Sequence, residues 1–266
     1  MPQTWIETGP VVLQYADGVA TMTLNRPNAA NGMNIDLMRA LHEAVMRCHR
    51  EPEVRVVHLR GAGKNFCAGG DVREFSSKGV ALGDFLKEVT AWLQMAVGAL
   101  IRLDAIVVAE VQGYAAGGGG LGLVCASDLV IAGAGAKFLA GATRVGMAPD
   151  AGSSVILPHL IGFRRATELL LTNRIVTATE AVSLGLINKA VPDETLAEEA
   201  GALVASLADG APLAQAATKR LLWNALGVET CLPEEARTVS TLSATADSRE
   251  GLAAVIEKRK PTFTGA

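Results

Sequence analysis

The chemistry in this sequence centres on a run of four glycines, Gly117 to Gly120, within the stretch 106–128. The apolar, β-branched residues 106–111 before it predict a buried strand, and the apolar residues 121–126 after it predict a short helix. This order leaves main-chain N–H groups free at a helix N-terminus, where the macrodipole favours negative charge. Glycine has no Cβ, so a ligand can approach the main chain closely. The stretch therefore predicts a site for an anion or for an oxygen that gains charge during a reaction.

Three interpretations of the glycine run compete. It could be a tight turn that packs a helix onto a sheet. It could be a dinucleotide site, since Gly117, Gly119 and Gly122 satisfy G-x-G-x-x-G. That site needs an acidic residue about twenty positions on, at the end of the next strand, but the strand at 128–132 runs into Ala-Gly-Ala-Gly. The third interpretation, an oxyanion hole for an acyl group, is favoured by the rest of the chain.

Composition excludes several classes of protein. A chain of 266 residues can bury a sizeable core in one large or two small domains. The net charge of −3 and the lack of a basic run before the extreme C-terminus argue against nucleic acid as a partner. No apolar stretch is long enough for a membrane span, and no signal peptide is visible, so we expect a cytoplasmic protein. The four scattered cysteines show no metal-ligand spacing, so no metal site is expected.

The periodicity along the chain predicts alternating strands and helices, followed by helices alone. Asp17-Gly18 between two apolar runs predicts a hairpin. Helices are predicted at 35–50, 72–75, 82–103, 153–161, 164–171 and 177–184, and strands at 54–59, 106–111, 129–131 and 187–191. The remaining helices are predicted at 195–208, 212–226, 233–246 and 248–257. We therefore expect an α/β core over residues 1–190 and a helical region over 191–266.

Five segments, taken in order, resemble the crotonase superfamily, which is the enoyl-CoA hydratase/isomerase fold. The resemblance runs nearly from end to end. The segments are LNRPNAANGMN (24–34), NFCAGGDV (65–72), EVQGYAAGGGGLGL (110–123), VGMAPDAGSSVILPHLIGFRRATELLLTNR (145–174) and EKRKPTF (257–263).

The resemblance implies a fold, an assembly and a substrate class. The fold would be a spiral of ββα units with a helical C-terminal trimerisation region, assembled as a homotrimer or a dimer of trimers. The substrate would be an acyl-CoA thioester whose enolate is held in an oxyanion hole. Coenzyme A would be part of the substrate, and no other cofactor is implied.

The resemblance also assigns the two main-chain donors of the oxyanion hole. One matches Gly70, and the other matches the middle glycine of the glycine run. The chain departs from the usual pattern by one added residue between Tyr114 and Asp128. Counting from Tyr114 selects Gly118, and counting back from Asp128 selects Gly119. Loss of one such donor costs about 3–4 kcal/mol of barrier, so both must be placed accurately.

The carboxylates distinguish this chain from hydratases of the superfamily. One of the two hydratase glutamates matches Leu121 or Gly122 here, and the other matches Ala142. Both glutamates are therefore absent. Hydration needs acid–base support at two places, whereas a double-bond shift needs one base. Asp150 matches the aspartate of dienoyl-CoA isomerases and of epoxyphenylacetyl-CoA isomerase-like proteins. We therefore expect double-bond isomerisation with Asp150 as acid and base.

Other interpretations of the same residues remain open. Asp150 could instead cap the helix that begins near Ser153. It also matches the nucleophile of chlorobenzoyl-CoA dehalogenases, but their tryptophan is replaced here by Ala142. A hydratase or acyl-CoA hydrolase on the same scaffold is a further alternative, as is a non-catalytic CoA-binding homologue.

Several further residues are candidates for contact with the CoA part of the substrate. The resemblance implies main-chain contacts around Ala68 and Gly69 with the adenine. Arg26 and the basic tail would suit CoA phosphates, although solvated positions are an equal alternative. Asp71 could contact ligand or cap the next helix, and Tyr114 could contact substrate or lie in the core. The candidates for binding substrate are therefore Arg26, Ala68, Gly69, Gly70, Asp71, Tyr114 and Lys260.

Overall fold

A computed structural model describes residues 3–264 as alternating strands and helices, followed by helices alone. The strands are β1 (Gln3–Ile6), β2 (Val11–Ala16), β3 (Val19–Leu24), β4 (Val56–Gly61), β5 (Ile106–Val111), β6 (Tyr114–Ala116), β7 (Leu129–Gly133), β8 (Lys137–Leu139), β9 (Val176–Thr177) and β10 (Lys189–Val191). The helices are α1 (Ile35–His49), α2 (Val72–Ser77), α3 (Leu82–Arg102), α4 (Gly117–Cys125), α5 (Ser153–Ile161), α6 (Phe163–Thr172), α7 (Ala178–Leu184), α8 (Leu196–Ala208), α9 (Pro212–Asn224), α10 (Val228–Ser243) and α11 (Ala246–Glu257).

Two sheets organise the described part of the chain. The larger has the order β1-β2-β3-β4-β5-β7-β10, antiparallel over its first three strands and parallel from β3 onward. The smaller has the order β6-β8-β9. Because β6 follows β5 and leads directly into α4, the small sheet places the glycine run beside the carboxyl end of β5.

Helices cover both faces of the large sheet. On one face, α1 packs against β2 and β3, and α3 packs against α1. The α1 N-terminus is capped by Asn34, whose side chain accepts a hydrogen bond from Leu37 N. On the other face, α8 packs against Val56, Ile106 and Val108. Each large apolar side chain buried in this way contributes about 1.5–3 kcal/mol, so the strands that position the site lie in a firm core.

The C-terminal helices turn back onto the first part of the chain. Helix α10 packs along α3, and α11 packs against α2. The helices that cover α2 and α3 therefore come from the C-terminal region of the same chain.

The structure differs from the sequence-based expectations at several places. Helix α4 begins at Gly117 rather than at Leu121, and α10 begins at Val228 and contains Pro233. Strands β1 and β6 were not predicted. The N-cap of α5 is Gly152, so Ser153 is the first helical residue and not the cap. Among residues 3–264, no helix combines the length and the apolar character that a membrane span requires.

One buried asparagine fixes the loop that leads to the site. Asn31 is fully buried with φ of +54°, a region that asparagine tolerates better than most residues. Its Nδ2 donates to the carbonyl oxygens of Ala62, Asn65 and Phe66 at 3.0, 2.9 and 3.0 Å, and its Oδ1 accepts from Arg26 N at 2.8 Å. These bonds hold residues 62–66 against the 26–33 loop, directly before residues 67–70.

We expect Asn31→Asp to destabilise the protein by about 3 kcal/mol, because it replaces the buried donor with an oxygen that faces three carbonyls. Aspartate also tolerates a positive φ, so the backbone is not the cause. The measurement is the free energy of unfolding in urea. Asn28→Asp, on the exposed side of the same loop, is the matched control. Equal losses in the two variants would contradict the importance of these bonds.

Candidate functional site

Gly70 lies on an extended segment that pairs with residue 33 on one side. Met33 N donates to Gly69 O at 2.7 Å, and Asp71 N donates to Met33 O at 2.9 Å. Since successive residues of an extended segment direct their N–H groups to opposite sides, the Gly70 N–H points away from Met33. The Gly70 nitrogen lies close to the start of α4, since a Cβ added at Gly117 would lie 3.9 Å from it. The Gly70 amide is therefore directed toward the side on which α4 begins.

Helix α4 begins against this segment. Ala116 N donates to Cys67 O at 2.9 Å, which joins the chain before α4 to residues 67–70. The next three N–H groups, those of Gly117, Gly118 and Gly119, have no acceptor within the helix because they lie in its first turn. Gly117 and Gly118 are half-buried, whereas Gly119 is buried. The structure thus brings the Gly70 amide and the N-terminus of α4 to one place.

Asp150 lies on the turn before α5, and its carboxylate contacts the start of α4. A Cβ added at Gly118 would overlap Oδ1 of Asp150, so only glycine fits beside this carboxylate. Burial and, to a smaller extent, the negative charge of Glu235 together raise the pKa of Asp150 to about 7. An aspartate with this pKa can accept and return a proton near neutral pH.

The Asp150 side chain is not the cap of α5. Its main-chain carbonyl oxygen accepts from Ser153 N and Ser153 Oγ at 3.1 and 2.6 Å. The first-turn N–H groups of Gly152 and Ser154 donate instead to the carboxylate of Glu235 on α10, at 2.6 and 2.9 Å. Glu235 takes the capping role, and the Asp150 carboxylate stays beside α4.

These groups line one mostly apolar cavity of about 210 Å³. Among the described residues that line it, Asp150 and Arg144 are the charged ones. Thr90 uses its hydroxyl hydrogen to bond Leu86 O at 2.7 Å. The apolar side chains of the lining are Met33, Val72, Phe75, Leu86, Val89, Leu93, Leu139, Val145, Met147, Val239, Leu252 and Val255. The arrangement can hold an apolar chain next to two main-chain donors and one carboxylate.

The positions that match the hydratase glutamates offer no carboxylate. Ala142 lines the cavity, and Leu121 is buried in the core. Gly122 lies against Ala151, where a Cβ would overlap the Ala151 Cβ. The cavity therefore presents Asp150 without the two groups that hydration uses.

The other candidates from the sequence occupy different places. Ala68 and Gly69 line the cavity together with Gly70. Asp71 caps α2, with its Oδ1 accepting from Glu74 N at 3.2 Å, and its Oδ2 forms an ion pair with Arg26 at 3.0 Å. The cavity lining thus includes three of the seven candidates for binding substrate. It does not include Arg26, Asp71, Tyr114 or Lys260.

Sequence reasoning missed Glu235 and the closure of the cavity by α10 and α11. Glu235 lies in the segment Pro-Glu-Glu-Ala-Arg, 83 positions from Gly152, and no motif connects the two. Val239, Leu252 and Val255 reach the cavity from the same region. Nothing in the spacing of these residues distinguishes them from an ordinary amphipathic helix. Within residues 3–264, no group of three or more His, Cys, Asp or Glu side chains could hold a metal ion.

Comparisons with known proteins identify the family of this chain. The family model for enoyl-CoA hydratase/isomerase matches residues 14–266. The chain is 37% identical to a probable enoyl-CoA hydratase of Rhodobacter capsulatus, over 95% of this chain and 96% of the relative. It is 35% identical to the 1,2-epoxyphenylacetyl-CoA isomerase of Escherichia coli, over 93% and 95% of the two chains.

A solved structure has the same fold. The crystal structure of an enoyl-CoA hydratase from Mycobacterium avium subsp. paratuberculosis superposes with a TM-score of 0.88 and 29% sequence identity, covering 97% of this chain and 99% of that one. The crotonase fold expected from the sequence motifs is therefore confirmed. The chain belongs to the enoyl-CoA hydratase/isomerase family.

Proposed function

We propose that this enzyme shifts the double bond of an enoyl-CoA, with Asp150 as the acid and base and two main-chain N–H groups as the oxyanion hole. The observation that carries the proposal is the carboxylate of Asp150 against Gly118, at the N-terminus of α4 and in an apolar cavity. Its raised pKa, about 7, suits proton transfer in both directions.

The proposed mechanism uses two main-chain amides to hold the thioester oxygen and Asp150 first as base and then as acid. The thioester carbonyl oxygen accepts hydrogen bonds from Gly70 N and from a first-turn amide of α4. Ionised Asp150 removes a proton from one carbon of the acyl chain, and the electrons move to the carbonyl oxygen to form an enolate. The amides and the helix dipole stabilise that charge. Protonated Asp150 then returns the proton to a different carbon, so the double bond has moved and no atom is gained or lost.

Gly118 is the better candidate for the second amide. Gly119 is buried, and its Cα faces the sulfur atoms of Met33 and Cys67, where an added Cβ would lie 3.1 Å from Cys67 Sγ. Gly118 is half-buried and lies beside the Asp150 carboxylate. The counting from Tyr114 also selects Gly118, and α4 begins directly after β6, without an intervening loop.

The alternatives are less well supported by the cavity. A hydratase or a hydrolase must activate water, and the positions of the hydratase glutamates carry Leu121, Gly122 and Ala142. A dehalogenase would use Asp150 as a nucleophile, but Ala142 replaces the tryptophan that supports that chemistry. A non-catalytic CoA-binding protein would have no use for a buried carboxylate beside the oxyanion hole, because burying an ionisable group costs free energy.

The proposal extends to recognition and assembly. Main-chain groups at Ala68 and Gly69 would meet the CoA part of the substrate, and no cofactor other than the substrate's own CoA is invoked. Exposed apolar side chains on α6 and α9, namely Phe163, Leu171, Leu213, Leu221 and Leu222, favour burial between subunits. The assembly implied by the family resemblance is a homotrimer or a dimer of trimers. A cytoplasmic location fits the four free cysteines of the described chain.

Product analysis in ¹⁸O-labelled water tests the reaction itself. A panel of enoyl-CoA and dienoyl-CoA thioesters of different lengths would be incubated with the enzyme. We expect a positional isomer of unchanged mass without ¹⁸O, because no water is added. Products heavier by the labelled oxygen would show hydration or hydrolysis, and no turnover of any substrate would favour the binding protein.

Asp150→Asn tests the acid and base. We expect kcat/KM for isomerisation to fall by at least about 10²-fold, the usual contribution of a general base. Binding of a saturated acyl-CoA, measured by isothermal titration calorimetry, should stay within a factor of about three, because the amide has nearly the same shape. Asp84→Asn, an exposed change on α3, is the control. Activity retained in the Asp150 variant would remove this residue from the chemistry.

Gly118→Ala tests the contact between α4 and the carboxylate. The added methyl group would overlap Asp150 Oδ1, so we expect kcat/KM to fall by about 10²-fold or more as the carboxylate is displaced. The overall fold should persist, since alanine has a higher helix propensity than glycine. Gly201→Ala on α8, where a Cβ meets no atom within 4 Å, is the matched control. Equal activity in both variants would contradict the proposed geometry.

A further inference from the structure

A second carboxylate lies behind the turn that carries Asp150. Glu235 is 6% exposed and projects from α10 onto the N-terminus of α5. Its Oε2 accepts from Gly152 N at 2.6 Å, and its Oε1 accepts from Ser154 N at 2.9 Å. Two N–H donors at a helix N-terminus stabilise a negative charge, so this buried group is a carboxylate with both oxygens engaged.

The turn that Glu235 holds has an unfavourable backbone. Ala151 and Gly152 both have positive φ, +57° and +77°. For alanine this left-handed conformation costs roughly 1–2 kcal/mol, so the turn persists only if its surroundings hold it. Glu235 binds the N–H group of Gly152, the second of these residues. The position of Asp150, one residue before them, therefore depends on a bond from α10.

The charge of Glu235 also acts on Asp150. Burial is the larger cause of the raised pKa of Asp150, and the negative charge of Glu235 adds to it. The other ionisable groups near this turn are Arg144, which lines the cavity from the segment before Asp150, and Cys231 of α10, whose Sγ lies 3.0 Å from Ser154 Oγ. The described parts of α3, α4 and α11 that line the cavity add no charged side chain.

We infer that Glu235 is a positioning residue for Asp150: it fixes the turn at residues 150–154 and keeps a negative charge behind the catalytic carboxylate. It is not a second catalytic group, because it does not line the cavity and both its oxygens accept main-chain hydrogen bonds. The inference rests on the proposed role of Asp150. It assigns part of the proton affinity of that base to a residue of α10, distant from Asp150 in sequence.

The test compares Glu235→Gln with Glu234→Gln, the exposed neighbour on the same helix, as the matched control. Two quantities are measured: the acid limb of kcat/KM against pH, and the ¹³C NMR titration of the Asp150 carboxyl carbon, identified by its absence in Asp150→Asn. In the parent and the control, we expect a midpoint near pH 7. In Glu235→Gln, we expect both the midpoint and the acid limb to move down by about half a unit or more. An unchanged midpoint in a folded Glu235→Gln protein would overturn the inference.

Glu235→Asp separates the effect of the negative charge from the effect of side-chain length. It also provides a test if Glu235→Gln does not fold. It keeps the negative charge but shortens the side chain by one methylene, so we expect an unchanged midpoint and a kcat/KM reduced by about tenfold. A midpoint that drops in Glu235→Asp as well would overturn the role of the charge.

The NMR titration distinguishes a failure of this inference from a failure of the proposed function. A shifted midpoint together with full activity of Asp150→Asn would support the Glu235 coupling and reject Asp150 as the base. An inactive Asp150→Asn protein with an unshifted midpoint in Glu235→Gln would reject the Glu235 coupling alone.

Discussion

The site depends on the hydrogen bonds that join residues 67–70 to the chain just before α4. Cys67 N bonds Tyr114 O, and Ala116 N bonds Cys67 O, at 3.0 and 2.9 Å. This short parallel pairing sets the distance between the Gly70 amide and the first turn of α4. Donors that are already in place cost no reorganisation when charge develops, and this makes them effective. Asn31 and Met33 support the pairing from the opposite side, so the donors belong to a rigid scaffold.

The Asp150 carboxylate depends on a different property, the free-energy cost of ionising it. Asp150 lies in an apolar cavity and near a second negative charge, and both oppose its ionisation. An exposed aspartate is ionised at neutral pH and is a weak base. The same burial that makes Asp150 costly to ionise makes it a stronger base, so the fold exchanges stability for reactivity at this position. When the enolate forms, Asp150 is protonated and the negative charge lies on the substrate oxygen, where the N-terminus of α4 stabilises it.

The sequence predicted most of the scaffold, because strands and amphipathic helices have local periods. The hairpin at Asp17-Gly18, the helix α1 and the strands β4 and β5 follow from neighbouring residues alone. The start of α4 was misplaced because glycine disfavours helices by about 1 kcal/mol per residue. Packing outweighs that preference here: a Cβ at Gly120 would overlap Cys67 O, so only glycines allow α4 to approach residues 67–70.

The parts of the site that were not predicted depend on long-range contacts. Gly70 and Asp150 carry motifs, so they could be found from the sequence. Glu235 contacts Gly152 across 83 positions, and α10 and α11 reach the cavity with ordinary apolar side chains. These contacts depend on how α10 and α11 fold back onto the first part of the chain, and no local sequence pattern predicts that arrangement.

The closure of the cavity by α10 and α11 has a consequence for biosynthesis. A chain leaves the ribosome N-terminus first, and its domains fold as they emerge. The proposed oxyanion donors precede residue 120, whereas Val239, Leu252 and Val255, which line the same cavity, are made later. A prematurely ended chain without α10 and α11 would therefore lack this part of the cavity wall and leave the cavity open to water.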